Sequence, residues 1–140
     1  MKIQLTYEGQ GAAFKGITEE GCELILDGSP SLGGENKGPR PMQLVLFGLA
    51  GCASMDVLHI LRKGRLDLSH AIITATGNRA ESVPAVFETI HLHFELAGSG
   101  LTEQKAQRAI DLSLERYCSV AQMLSPHVHI TADLKILPNS

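Results

Sequence analysis

The chain has 140 residues, enough for one domain spanning 1–140 with a core that needs no disulfide staples. A net charge of −3 with scattered Lys and Arg provides no basic stripe for a phosphate backbone, and 4% aromatic residues offer little surface for stacking bases, so nucleic acid is not an expected partner. Three cysteines, an odd and small number, argue against a secreted disulfide scaffold.

The N-terminus alternates polar and apolar residues, without the apolar stretch of a signal peptide, and a cytoplasmic location is expected. Ile3, Leu5 and Tyr7 share one strand face, with Lys2, Gln4, Thr6 and Glu8 on the other. Turn signals at Gly9-Gln10-Gly11 and Glu19-Glu20-Gly21 separate short strands, and Cys22, Leu24 and Leu26 alternate in a third. The result is an antiparallel meander, with Cys22 expected to be packing. Residues 28–41 form a long loop of the kind that is either functional or disordered.

Pro41 suits the first turn of a helix, which runs to about Lys63, where Gly64 can cap it. Only Gln43, Ser54, Asp56 and His59 interrupt the apolar run 42–61. Asp and His inside one half of a membrane span are costly, so a deeply buried soluble helix is expected, and no membrane partner. The helix is apolar on nearly all sides, more than one sheet covers, which points to a second subunit in a symmetric homodimer.

Two strands follow, with Ala71, Ile73 and Ala75 alternating in the first and Ile90, Leu92, Phe94 and Leu96 in the second. Thr102 is an N-cap for the next helix, which either runs unbroken to Ser125 or restarts at Cys118. Pro126 ends it, and 127–137 is a last strand with Val128, Ile130, Ala132, Leu134 and Ile136 on its apolar face. Strands, buried helix, strand pair, helix and strand make an α+β domain.

Cys52 lies in the most apolar segment, and Cys118 follows a charged helical run. A buried thiol is ordinarily inert. Two thiols, each opening a run of small residues, also fit a redox pair, and the residues leave both readings open. A thiolate needs a cation or a helix N-terminus. Cys52 is about three turns into its helix, and Arg40 at the helix head is roughly 17 Å away along an ideal axis. Asp56, one turn on, opposes ionisation if charged. Cys118 is better placed if a helix starts there. Glu115, one turn before it on a continuous helix, reads either as a partner or as a solvated charge.

The pairs His91/His93 and His127/His129 invite zinc, because period 2 puts each pair on one strand face. A solvent-exposed sheet face accounts for them without a metal, and no metal or cofactor is expected. No nucleophile elbow, phosphate loop or dinucleotide fingerprint occurs.

Residues 41–57, Pro-Met-Gln-Leu-Val-Leu-Phe-Gly-Leu-Ala-Gly-Cys-Ala-Ser-Met-Asp-Val, resemble the first-cysteine helix of the OsmC/Ohr family, and 111–124, Asp-Leu-Ser-Leu-Glu-Arg-Tyr-Cys-Ser-Val-Ala-Gln-Met-Leu, its second-cysteine segment. Spacing, strand order and length agree over essentially the whole chain, most closely with the YhfA-like branch. The resemblance implies the OsmC-like fold: an intertwined homodimer whose curved antiparallel sheets wrap buried central cysteine helices, with two active sites at the interface. It also implies a peroxidase with Cys52 peroxidatic and Cys118 resolving. Such an enzyme reduces an organic hydroperoxide, or hydrogen peroxide, through a sulfenic acid and a Cys52–Cys118 disulfide that an external dithiol reduces.

Two departures stand out. The family's thiolate is stabilised by an arginine from an N-terminal strand, but no arginine precedes Arg40 here. Its glutamate near the start of the cysteine helix is Gln43, which can hydrogen-bond an arginine without forming an ion pair. The alternative function is a dimeric thiol redox sensor or hydrophobic-ligand-binding protein, and a plain scaffold with structural cysteines is a third reading.

Overall fold

The structure is a computed structural model that describes residues 1–139. The chain forms two compact units, Met1–Val45 and the remainder from Leu46 onward.

In the first unit, strands β1 (Ile3–Tyr7), β2 (Phe14–Thr18) and β3 (Glu23–Leu26) form the expected antiparallel meander. The register pairs Tyr7 with Phe14 and Phe14 with Leu26, and the Tyr7 and Phe14 rings lie 5.3 Å apart. Ile3, Leu5 and Tyr7 stay about half exposed within the chain, so this sheet's apolar face is not covered by its own unit. Cys22 is not on that face. It lies in the β2–β3 turn, exposed, where Thr18 accepts its N–H at 3.2 Å, because the apolar alternation starts only after it.

The long loop is neither free nor extended. Asp27 is buried, and its carboxylate accepts N–H groups from Gly28 (2.7 Å), Glu35 (2.9 Å) and Lys37 (3.2 Å). These donors, Glu35 first, hold the Asp27 carboxyl below its usual range even though desolvation opposes them. The wrap is tight enough that a Cβ on Gly34 or Gly38 would collide with the carbonyls of Gly28 or Ile25.

Helix α1 (Pro41–Lys63) starts and ends where the sequence predicts. Gln43 Oε1 accepts the Arg40 N–H at 2.9 Å, which satisfies a donor the helix leaves free. At the other end the left-handed position is taken by Arg65 (φ 61°) rather than Gly64. Arg65 N–H bonds Arg62 O and Leu66 N–H bonds Leu61 O, a Schellman pattern shifted one residue past the glycine.

In the second unit, β4 (His70–Arg79) and β5 (Phe87–Ala97) pair antiparallel, and β6 (His129–Ile136) joins β5 in parallel. A parallel partner needs a long crossover. Helix α2 (Glu103–Leu112), a π-helical turn (Ser113–Tyr117) and helix α3 (Ser119–Leu124) make up that crossover. Thr102 caps α2 as expected, accepting Lys105 N–H at 3.3 Å.

Period 2 buries Ile90, Leu92, Phe94 and Leu96 of β5, while spacing by four buries Leu49, Ala53, Val57 and Leu61 of α1. Ala106, Ala109 and Ile110 of α2 and Ala121 of α3 are buried as well. The deep burial expected for α1 is therefore limited to one stripe. Phe47 and Met55 are 67% and 72% exposed, although the helix is long and apolar enough to cross a membrane.

Candidate functional site

Cys52 lies on the third turn of α1, half-buried, and Asp56 follows one turn later on the same helix face. Cys118 arrives from the crossover. The sequence left open whether α2 continues or restarts, and it restarts: after the π turn, Cys118 adopts an extended conformation (φ −72°, ψ 104°) as N-cap of α3. Its N–H bonds Ser113 O at 2.7 Å, and its sulfur accepts Ala121 N–H at 3.4 Å.

The fold brings the two predicted cysteines together. Ligand atoms of Cys52, Asp56 and Cys118 all lie within 4.8 Å of one another, the only such group of metal-ligating side chains among the described residues. Ser113, fully buried at the start of the π turn, donates its hydroxyl to Asp56 Oδ2 at 3.1 Å and to Ala53 O at 3.4 Å.

Cys118 is completely buried, and this decides its ionisation. Burial pushes its thiol up to about 11; the Ala121 N–H pulls the other way and loses, and the neighbouring Cys52 and Asp56 add to the rise. The helix start that favoured a thiolate at Cys118 is there, but α3 has only six residues and the desolvation exceeds its help. Asp56 makes no ion pair among the described residues.

The supporting residues read from sequence sit as follows. Gln43 caps the Arg40 backbone, and α1 begins at Pro41, so Arg40 stays at the helix head where the sequence places it. Glu115 is exposed in the π turn, outside the thiol group, and its carbonyl accepts from Gln122 Nε2 at 2.9 Å. Asp56 as a member of the site was legible from its i+4 spacing to Cys52. Ser113 was not, since a π turn in place of an α turn sets its position.

A cavity of about 460 Å³ opens beside Asp56, walled by His59, Ile60, Lys63, Leu112 and Tyr117. On the outer face of the second sheet, Asp133 Oδ1 lies 2.8 Å from both His91 Nε2 and His93 Nδ1, and Thr131 Oγ1 lies 2.7 Å from His91 Nδ1. The imidazoles, His93 first, hold the Asp133 carboxyl below its usual range. His127 precedes β6 and shares no hydrogen bond with His129 among the described residues.

A family model described as OsmC-like protein matches residues 34–133. Protein YhfA of Escherichia coli (strain K12) is 38% identical over 128 residues, 91% of this chain and 92% of that one. A hypothetical protein from Aquifex aeolicus VF5 superposes with a TM-score of 0.81 at 29% identity, covering 98% of this chain and 97% of the other. The organic hydroperoxide resistance protein OhrB of Bacillus subtilis shares the fold at a TM-score of 0.65 and 18% identity, over 96% of this chain and 98% of that one.

Proposed function

The chain belongs to the OsmC-like family, and from that premise we propose that it is a homodimeric, thiol-dependent reductase of organic hydroperoxides. The observation that carries the reading is the approach of Cys52 and Cys118, whose sulfurs lie within 4.8 Å although 66 positions separate them (118 − 52).

Cys52 is the attacking thiol, because it is half-buried and within reach of substrate, while Cys118 is sealed. Its thiolate attacks the terminal oxygen of the hydroperoxide, the O–O bond breaks, and the departing alkoxide takes a proton to leave as alcohol. Cys52 is left as the sulfenic acid. Cys118, protonated at neutral pH because its thiol is pushed up to about 11, attacks the Cys52 sulfur as it loses its proton; hydroxide departs with that proton as water and the disulfide forms. An external dithiol returns both thiols by thiol–disulfide exchange.

The exposed apolar residues Phe47 and Met55 on α1, together with Ile3, Leu5 and Tyr7 on β1, support a second copy as the cover for these faces. The second reading, a redox sensor with weak turnover, is favoured by one observation: the acidic neighbours of Cys118, Cys52 and Asp56, both oppose its ionisation.

Steady-state consumption of cumene hydroperoxide with a dithiol, compared between wild type and Cys52→Ser, tests the proposal. Turnover that vanishes in the variant supports the reductase. Stoichiometric oxidation without turnover favours the sensor, and unreactive thiols dismiss both. Sedimentation of wild type against Met55→Glu tests the dimer; a wild-type monomer would refute it.

A further inference from the structure

The thiol site combines three acidic side chains; His59 and Lys63 wall the cavity beside Asp56 but form no ion pair with it among the described residues. Two sulfurs and a carboxylate converge within 4.8 Å, and Asp56 has no ion-pair partner among the described residues. Each group, if ionised, repels the other two. A single divalent cation would relieve all three at once, displacing the thiol protons.

We propose that the reduced protein binds one thiophilic divalent cation of the Zn²⁺ class through Cys52 Sγ, Cys118 Sγ and a carboxylate oxygen of Asp56. A tetrahedral zinc with sulfur at ~2.3 Å and oxygen at ~2.0–2.2 Å sets its ligands about 3.5–3.8 Å apart. The observed separations, at most 4.8 Å, therefore need to close by no more than about 1.3 Å. Cys52 and Asp56 approach from successive turns of one rigid helix, and Cys118 is fixed at the α3 cap by its bond to Ser113. Ser113 also donates to Asp56 Oδ2, an outer hydrogen bond of the kind that orients metal-ligating carboxylates.

The ligand set chooses the cation. Two thiolates favour Zn²⁺ and Cd²⁺ over Mg²⁺ and Ca²⁺, which prefer all-oxygen shells. A cavity opens beside the Asp56 carboxylate, and three protein ligands leave the fourth tetrahedral position to water. Because the same sulfurs form the proposed disulfide, cation and disulfide exclude one another. The bound cation shields Cys52 from electrophiles, and oxidation abolishes the site. The inference goes beyond the reductase reading and depends on the two sulfurs meeting, not on hydroperoxide turnover.

The test uses untagged, reduced, full-length protein carrying Cys22→Ser, which removes the exposed thiol. Titration with Cd²⁺ under argon should give a sulfur-to-cadmium absorption band saturating at one equivalent, competed by Zn²⁺ and not by Mg²⁺. Cys52→Ser and Cys118→Ser should each abolish the one-equivalent band, and Asp56→Asn should weaken Zn²⁺ binding at least tenfold with the circular dichroism unchanged. Should the buried Cys118→Ser variant fail to fold, alkylation of the protein with native Cys52 and Cys118 serves instead: one equivalent of Zn²⁺ should slow labelling of the accessible Cys52 more than tenfold. No band, a band that persists without Cys52 or Cys118, equal affinity in Asp56→Asn, or a Cys52 left unprotected would each overturn the site. Cadmium binding without hydroperoxide turnover would uphold it while refuting the reductase.

Discussion

Ser113 donates its hydroxyl to Asp56 Oδ2 across 3.1 Å, tying the π turn of the crossover to α1 one turn beyond Cys52. The bond links two segments 57 positions apart (113 − 56), and both cysteines are mounted on them. Ser113→Ala removes the donor from a fully buried position and leaves the carboxylate short of a partner. The expected loss is about 1–3 kcal/mol of unfolding free energy, read from urea denaturation. Slower Cys52–Cys118 disulfide formation should accompany it. Unchanged stability and unchanged closure rate would mean the bond holds nothing in place.

The buried Cys118 thiol makes reduced-state stability depend on alkaline pH. Its folded value of about 11 lies above the ordinary 9.0, so on raising pH the unfolded chain loses the proton first. Fewer protons on the unfolded state means stability falls with pH. The contribution is intact below about pH 9 and is lost progressively up to about pH 11. Urea midpoints of wild type under reductant should drop across that window, and Cys118→Ala should flatten this part of the slope. An equal slope in the variant would assign the effect to other groups.

Most of the scaffold was legible because it follows one-dimensional periods. Alternation marked Ile90 to Leu96, Pro41 and Lys63 bounded α1, and Thr102 announced α2. What escaped depends on contacts distant in sequence or on local geometry without a residue signature. The π turn that aims Ser113 at Asp56 looks like plain helix in sequence, and the parallel seating of β6 is set by the whole crossover. Asp27 resembles any loop acid until its three backbone donors, up to ten residues on, are seen to converge. Cys22 was misplaced by extending an alternation one step into a turn.

Asp27 supplies an acid-side counterpart to Cys118. Its carboxyl is held below the usual range by the N–H groups of Glu35, Lys37 and Gly28, so the folded state favours the ionised form. That contribution is present above the ordinary carboxylate range and disappears as pH falls through the depressed folded value. Asp27→Asn should open the loop 28–40 to limited proteolysis at neutral pH and reduce the loss of stability on acidification. A loop as resistant as in wild type would show that the backbone bonds are dispensable.

At the C-terminus of α1 a non-glycine residue occupies the left-handed region, where an L side chain costs about 1–2 kcal/mol. Arg65 does so at φ 61°, directly after a glycine that does not. Arg65→Gly removes that strain and concedes the added backbone entropy of glycine, leaving a net gain of about 0.5–1 kcal/mol. The melting temperature should rise by a few degrees, about what such a gain produces in a domain of this size. A fall would mean that the Arg65 side chain contributes contacts worth more than its backbone costs.

The pairing of the thiols has a direct chemical readout. A disulfide needs sulfurs about 2.05 Å apart, so Cys52 and Cys118, within 4.8 Å, must move closer for the bond to form. One equivalent of cumene hydroperoxide on the reduced protein should remove two hydrogens from the intact mass and yield a peptide linking Cys52 to Cys118. Cys118→Ala removes the second thiol with a small change of volume, and the oxidised intermediate should then persist as a sulfenic acid at Cys52, captured by a dimedone-type reagent. Because Cys22 is exposed, its own oxidation would instead appear as a link between two chains. Recovery of that product alone, with Cys52 and Cys118 still reduced, would exclude the pair as the redox centre.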